Sequence, residues 1–405
     1  MVRISGPRAD AALQALTGTL PEPRRATLVT VRGGDGELLD RGVALRFLGP
    51  RSATGDDLAE LHLHGGRAVV AAVLGALAVI KGLRQAEPGE FTRRAFENGR
   101  IDLAEAEGLA DLLTAETEAQ RRAAIAMAGG ALSRQVDQWR ERLLGIAAAV
   151  EAELDFADEG DVHEGTAPEI AGKIEELAAA MRETLARPPA ERLRDGIRIA
   201  IAGPPNAGKS SLLNALIQRE AAITSEVAGT TRDVIEAPVS IAGIPLLLID
   251  TAGLRDTEDR IESIGVERAE AAVAGADLVL WLGPPRQAPP NSIRISPKSD
   301  VHAIDLDADI AVSAATGHGL ADLIALVLER SRGMLPQSNE AALNARQREL
   351  LRAALAGLDQ ASAASDPLIR AEHLRRARTM LDRITGRAGV EDMLDALFGR
   401  FCIGK

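Results

Sequence analysis

Residues Gly203-Pro204-Pro205-Asn206-Ala207-Gly208-Lys209-Ser210 carry the phosphate-loop pattern GxxxxGKS. An apolar run of strand type, Ile197 to Ala202, precedes them, and residues 211 to 217 continue with helical periodicity. Glycines in such a loop let backbone N–H groups converge on an anion at a helix N-terminus, where unpaired donors and the helix dipole favour negative charge. The pattern predicts that Lys209 reaches the β- and γ-phosphates of a nucleotide and that Ser210 holds Mg²⁺ through its hydroxyl, with Ala207, Gly208 and Ser211 lining the same loop. Asp250-Thr251-Ala252-Gly253 follows the buried-strand run Leu246 to Ile249. An Asp there binds Mg²⁺ through water, and the Gly N–H meets the γ-phosphate. Between the two motifs lies Gly229-Thr230-Thr231-Arg232-Asp233, whose Thr hydroxyl is suited to complete the Mg²⁺ shell while the γ-phosphate is present. In this order the stretches specify a GTPase of the translation-factor-related class.

Base selection is expected from an NKxD motif, whose Asp accepts two hydrogen bonds from the guanine edge. The corresponding stretch is Pro297-Lys298-Ser299-Asp300, so Lys and Asp stand but Pro replaces Asn. Proline supplies neither a side-chain amide nor an N–H, which predicts weaker guanine binding or a rearranged contact. Ser313-Ala314-Ala315 fits the loop that closes over the base through backbone N–H groups. The segment between Trp281 and Pro297 is short and rich in Pro, so one helix of the usual nucleotide domain should be reduced or missing. No Gln follows the DxxG motif, where Leu254 stands. Water must be positioned by another residue.

The elements around these motifs follow from periodicity. Residues 196–332 alternate strands and helices, with strands expected at 197–202, 233–241, 245–250, 277–282, 292–296 and 309–313. Residues 1–98 read as a small α+β unit: strands around Val29–Arg32 and Gly42–Leu48, a third at Ala59–His64, and a helix at 67–81. His62 and His64 share a face there, as polar strand positions rather than metal ligands. Residues 87–103 are dense in turn residues and charges of both signs. An Ala-rich helical region runs from 103 to 187, interrupted near Gly129-Gly130 and at 158–168 and closed by Pro188-Pro189. Beyond about 339 the chain is helical again, with a break at Ser365-Asp366-Pro367. The expected division is therefore 1–98, 99–195 and 196–332, with 333–405 returning to the helical unit, the nucleotide domain being an insertion where two chain ends lie close.

Composition bounds the function. The net charge of −12 argues against a broadly basic nucleic-acid binder, and 2% aromatics with no Tyr argue against base stacking. The lone Cys402 excludes an intrachain disulfide or a multi-Cys zinc site. The longest apolar run, Ala68 to Ile80, has 13 residues against the about 20 needed to span a bilayer. A cytoplasmic, membrane-free protein is expected.

The chain closely resembles the MnmE (TrmE) family of tRNA modification GTPases, within the TrmE-Era-EngA type. The resemblance rests on residues 2–7, Pro88-Gly89-Glu90-Phe91-Thr92, the run Asn98 to Glu107, Pro205 to Ser210, Gly229 to Asp233, Asp250 to Arg255, and the terminal Phe401-Cys402-Ile403-Gly404-Lys405. It implies an N-terminal folate-binding domain that forms a homodimer, an all-α helical domain built from both sides of the insertion, and an inserted α/β P-loop GTPase domain. It also implies a FAD-dependent partner, MnmG (GidA), forming a heterotetramer with this chain. Together they modify C5 of the wobble uridine of certain tRNAs to an aminomethyl or carboxymethylaminomethyl group. The one-carbon unit would come from 5-formyl- or 5,10-methylene-tetrahydrofolate, and hydrolysis would be stimulated by K⁺.

Carried onto this sequence, the resemblance makes Asn206, Ser225, Val227 and Thr230 ligands of K⁺, and Ser210 and Thr231 ligands of Mg²⁺. The cation sits where an arginine finger otherwise neutralises charge. Glu262 would orient the attacking water through a second water. The folate site would be Arg3, Glu60, Arg100 and Lys405; the family commonly has Lys at position 100, so charge persists but geometry differs. Cys402 is implied as a participant in the modification chemistry, whereas the residue by itself reads as a small buried hydrophobe. Family members usually begin with a further Gly-rich stretch, so an edge strand of the folate domain is expected to be absent, or the start codon misplaced. Two other readings remain at this stage: a regulatory GTP switch of the Era or EngA type, and a P-loop ATPase or kinase, which Lys298 and Asp300 disfavour.

Overall fold

The computed structural model describes residues 1–155, 163–220, 235–251, 269–336, 341–389, 394, 397–399 and 401. Three units appear, each around its own apolar cluster.

The first is a four-stranded antiparallel sheet of β1 (Val2–Ser5), β2 (Thr27–Arg32), β3 (Leu38–Phe47) and β4 (Leu58–His62), in the order β1-β4-β3-β2. Alternation along the strands sends Val2, Ile4, Val29, Val31, Ala44 and Leu61 to one face, where helices α1 (Ala9–Thr17) and α2 (Arg67–Ala78) cover them. The expected strand through His64 stops at His62. His64 lies beyond it, where its N–H donates to Asp40 at 2.9 Å and its ring nitrogen lies 2.8 Å from the same carboxylate. Helix α1 was not expected, and the charged stretch before residue 103 contains a further helix, α3 (Glu90–Glu97).

Helices α4 (Leu103–Thr114), α5 (Glu118–Ala128), α6 (Ala131–Asp155) and α7 (His163–Ala186) form the first half of the helical unit. The turn between α4 and α5 was not anticipated. It is fixed by a capping box in which Thr117 accepts from the N–H of Gln120 while the Gln120 side chain returns to the N–H of Thr117. The interruption expected through residue 168 is shorter, because α7 already runs through Pro168. The helical path ends at Ala186, before Pro188-Pro189.

A short helix, α8 (Glu191–Arg194), leads into the third unit, a six-stranded sheet in the order β10-β9-β8-β5-β7-β6. Its strands are β5 (Ile197–Ala202), β6 (Ile235–Ile241), β7 (Ile244–Asp250), β8 (Leu278–Trp281), β9 (Ser292–Pro297) and β10 (Ile310–Val312). All neighbours are parallel except β6 and β7, which Ala242-Gly243 joins as a hairpin with positive φ at both turn residues. Helices α9 (Lys209–Glu220) and α10 (Leu320–Arg332) pack on the sheet. Between β8 and β9 stands only a 3₁₀ turn, Pro285–Gln287, in place of a full helix. The strand tolerates this: one face of β9 offers Ile293 and Ile295 to the core, while the other carries Ser292, Arg294 and Ser296. Arg294 there pairs with Asp309.

The chain then returns to the helical unit with α11 (Ala345–Ala363) and α12 (Pro367–Ile384), which join α4, α6 and α7 in one core through Leu351, Leu358, Leu374 and Leu381. Entry to and exit from the inserted unit are stitched together. The Ala190 N–H donates to Leu343 O at 3.0 Å, and Arg348 donates to the carbonyls of Arg187 and Leu185. Glu107 of α4 receives both arms of Arg346 at 2.8 and 2.7 Å and the amide of Gln347 at 2.6 Å, closing the helical unit across the insertion. Among the described residues no helix is long and apolar enough to cross a membrane.

Candidate functional site

Strand β5 is buried along nearly its whole length, so it ends rigidly at Ala202 and delivers the loop 203–208 to the N-terminus of α9. The loop adopts a backbone that few residues tolerate: φ is 60° at Asn206 and 98° at Gly208, the latter a region that disfavours any side chain. Lys209, 5% exposed, donates from Nζ to Gly203 O at 3.1 Å and Pro204 O at 2.9 Å, which holds its ammonium inside the loop. Ser210 Oγ donates to Asp250 Oδ2 at 2.7 Å. Parallel pairing of β5 with β7 sets this contact, since Ile201 lies beside Asp250 in the register. A hydroxyl and a carboxylate so placed are hard oxygen donors of the kind Mg²⁺ takes. Thr251 behaves differently from the expectation for a nucleotide ligand: its hydroxyl is buried and donates back to Ile201 O at 2.8 Å, so its side chain ties the motif to β5.

Beside the loop opens a cavity of about 230 Å³. It is lined by Ala207, Gly208 and Ser211 from the phosphate loop, Lys298 and Asp300 from the segment after β9, and Ala314 and Ala315 from the segment after β10. The structure thus brings together residues that the sequence separates by about a hundred positions. Lys298 extends across the loop and donates from Nζ to Asn206 O at 2.9 Å, bracing it with its aliphatic stem along the cavity wall. Asp300 is held below its ordinary pKa, first by a hydrogen bond from the Ser313 side chain and then by its own backbone N–H. An ionised carboxylate at this place offers acceptors only, matching two adjacent N–H donors. Ser313 is fully buried, and its Oγ also accepts from the Thr316 N–H at 3.2 Å. Leu282, just after β8, and Ile295 and Val312, in β9 and β10, supply the apolar floor; they carry no motif, and only their place in apolar runs could have marked them. Pro297 occupies the cavity wall and pairs in register with Val312.

The second group of expected site residues lies at the N-terminal sheet. Arg3 and Glu60 face each other across β1 and β4, with Arg3 Nε 3.2 Å from Glu60 Oε1. That nitrogen is buried and lacks an aligned hydrogen-bond acceptor, and the guanidinium lies 4.7 Å over the ring of Phe91 in α3. The contact with Phe91 left no trace in residue spacing. Arg100 is exposed and makes no ion pair with Glu60. It lies near Gly55 in a loop fastened to β1 by the hydrogen bond between Ser5 and Thr54 at 2.8 Å. Phe96 of α3 packs at a tilt against Phe398, and Phe398 against Phe401, in a cluster that includes Leu103 and Leu394. Phe398 approaches so closely that a Cβ on Gly89 would stand 2.1 Å from its carbonyl oxygen, so only glycine fits position 89.

Ser225, Val227, Thr230, Thr231, Ala252, Gly253, Glu262, Cys402 and Lys405 lie outside the described residues.

Known proteins extend the reading beyond the nucleotide site. A family model described as the MnmE helical domain matches residues 103–402, and one described as the GTP-binding protein TrmE N-terminus matches residues 1–100. Over all of its length the chain is 58% identical to the tRNA modification GTPase MnmE of Rhizorhabdus wittichii, covering 93% of that protein. It is 56% identical to that of Sphingopyxis alaskensis, covering 100% of it, and 54% identical to that of Erythrobacter litoralis, covering 96%. Because the likeness runs through the sheet at the N-terminus and the helices on both sides of the nucleotide-binding unit, the chain belongs to the MnmE family of tRNA modification GTPases.

Proposed function

We propose that this protein hydrolyses GTP, stimulated by K⁺, and couples that cycle to modification of the wobble uridine of tRNA at C5. It would work in the cytoplasm with the FAD-dependent partner MnmG, with a folate supplying the one-carbon unit. The observation that carries the GTP part of this reading is the cavity in which the phosphate loop meets Asp300 and Lys298, and the tRNA part rests on the family likeness. A phosphate loop alone serves many nucleotides; a carboxylate set opposite it selects a base with paired N–H donors, as guanine has. The units we assign are 1–98 for folate and homodimerisation, 99–195 with 333–405 for the helical frame, and 196–332 for GTP.

Lys209, already enclosed by loop carbonyls, would exchange them for β- and γ-phosphate oxygens and neutralise the charge there. Ser210 and Asp250 fit Mg²⁺, one directly and one through water, and Thr231 would complete that shell. Asn206, with Ser225, Val227 and Thr230, would hold K⁺. When bound, these ions would supply positive charge where the γ-phosphoryl group develops negative charge. Glu262 would orient the attacking water through a second water. At the other site, Arg3, which is paired with Glu60, together with Arg100 and Lys405 would offer cationic groups to an anionic folate. Cys402 would act in the modification step.

Two outcomes are expected. GTP turnover should fall severely when Na⁺ replaces K⁺, and equal rates in the two salts would remove the cation from the account. Nucleoside analysis of tRNA from a strain lacking this chain should find the 5-substituted wobble uridine gone, and restored by the wild-type gene. Intact modification in that strain would favour a regulatory switch instead.

A further inference from the structure

Helix α12 buries Leu374, Ala377, Leu381 and Ile384 against its neighbours and turns a different surface outward. From residue 370 to 387 the chain carries six arginines, no lysine and two carboxylates, within a protein of net charge −12. Arg370 is inward, paired with Glu153. The other five, Arg375, Arg376, Arg378, Arg383 and Arg387, are exposed. Their compensation is incomplete. Arg375 and Arg376 share the one carboxylate of Glu372, which their hydrogen bonds hold at a pKa of about 2. Asp382 is taken by Arg140 at 2.5 Å, and Arg387 shares Asp137 with that same Arg140.

We propose that this arginine face of α12 and the turn after it binds the sugar–phosphate backbone of the tRNA substrate along a paired stem. The inference rests on the tRNA reading above and gives it a surface. An acidic protein must meet RNA through a local positive field, because the rest of its surface repels phosphate. Guanidinium forks match phosphate bidentately, and this stretch is built from arginine alone. No Phe, Tyr or Trp stands among residues 370–387 and the one imidazole, His373, is half-buried, so bases in a loop would find no exposed stacking platform. A double-stranded stem presents phosphates without requiring one. Arg375 to Arg383 spans about 12 Å of helix axis. The helix ends beside the aromatic cluster: just after it, Thr385 O accepts from the Leu103 N–H at 3.1 Å, and Leu103 belongs to the cluster that seats Phe398 and Phe401.

The test is a gel-shift titration of the full chain with unfractionated tRNA across about 50 to 200 mM KCl. The triple variant Arg376→Gln/Arg378→Gln/Arg383→Gln should bind at least about 10-fold more weakly, and its plot of log K against log salt should be shallower by about 2 to 3. Glu372→Gln, which releases Arg375 and Arg376, should act in the opposite sense and tighten binding. Hydrolysis of GTP without tRNA should be the same in all three proteins. Unchanged affinity and slope in both variants would overturn the surface while leaving the tRNA reading intact. Displacement of tRNA by polyglutamate as readily as by duplex RNA would also overturn it, marking a dock for an acidic protein. A wild-type chain that hydrolyses GTP but retains no tRNA would strike down both the surface and the direct tRNA contact.

Discussion

Lys209→Met lowers GTP turnover by about 10²- to 10³-fold, the usual effect of deleting one preorganised donor from a phosphoryl-transfer site. The lysine is worth this much because its position is fixed before substrate arrives. It is nearly fully buried, and the carbonyls of Gly203 and Pro204 hold its ammonium within the loop. Its ammonium then has only to exchange those carbonyls for phosphate oxygens beside the same loop. Methionine keeps the stem and loses the charge, so the melting temperature should move by only a few degrees. Steady-state hydrolysis read beside a thermal melt checks this. Turnover within a factor of a few of wild type would mean that the loop does not carry the chemistry.

Asp300→Asn weakens GTP binding by about 10²- to 10⁴-fold, since two hydrogen bonds to a charged acceptor contribute about 1.5–3 kcal/mol each. The amide would also turn an N–H donor toward the donors of guanine. A base carrying a carbonyl where guanine has its amino group should gain what guanine loses, so the variant should prefer xanthosine triphosphate. Competition for a fluorescent guanine nucleotide measures both effects. The Ser313 hydroxyl that holds Asp300 ionised supports the sign: the wild-type group presents acceptors only. Equal losses for guanine and xanthine nucleotides would point to a collapsed cavity rather than a reversed hydrogen bond.

The central strands of the nucleotide-binding unit, β5 and β7, were legible because they are buried on both faces and read as continuous apolar runs, as Leu246–Ile249 does. The missing helix after Trp281 was legible for a complementary reason. Its prolines and short length cannot build a helix, and the polar face of β9 needs none. Helices α1 and α3 were harder. Each is short, and the apolar positions of α3 lie among arginines and glutamates that resemble a solvated turn. The boundary between α4 and α5 did leave a signal, the Thr117-x-x-Gln120 capping pattern, which the uniform Ala-rich composition obscured.

Motif order was enough to bring Lys209, Ser210 and Asp250 together in expectation, and the parallel register of β5 with β7 is its physical basis. What spacing could not convey is how motif residues divide their work. Thr251 faces away, bound to Ile201 O, while Asp250 next to it faces Ser210. Nor could it reveal contacts between distant segments. The carbonyl of Phe398 against Gly89 and the ring of Phe91 under Arg3 depend on how the N-terminal sheet meets the helical unit.

Calorimetric titration of the full chain with Mg²⁺ and a non-hydrolysable GTP analogue, repeated with the matching ATP analogue as competitor, tests the account at its root. One site per chain should fill with the guanine nucleotide, and an excess of the adenine nucleotide should fail to displace it. No heat of binding at saturating guanine nucleotide, or displacement by the two bases in equal measure, would contradict the claim that the cavity between the phosphate loop and Asp300 is a guanine site.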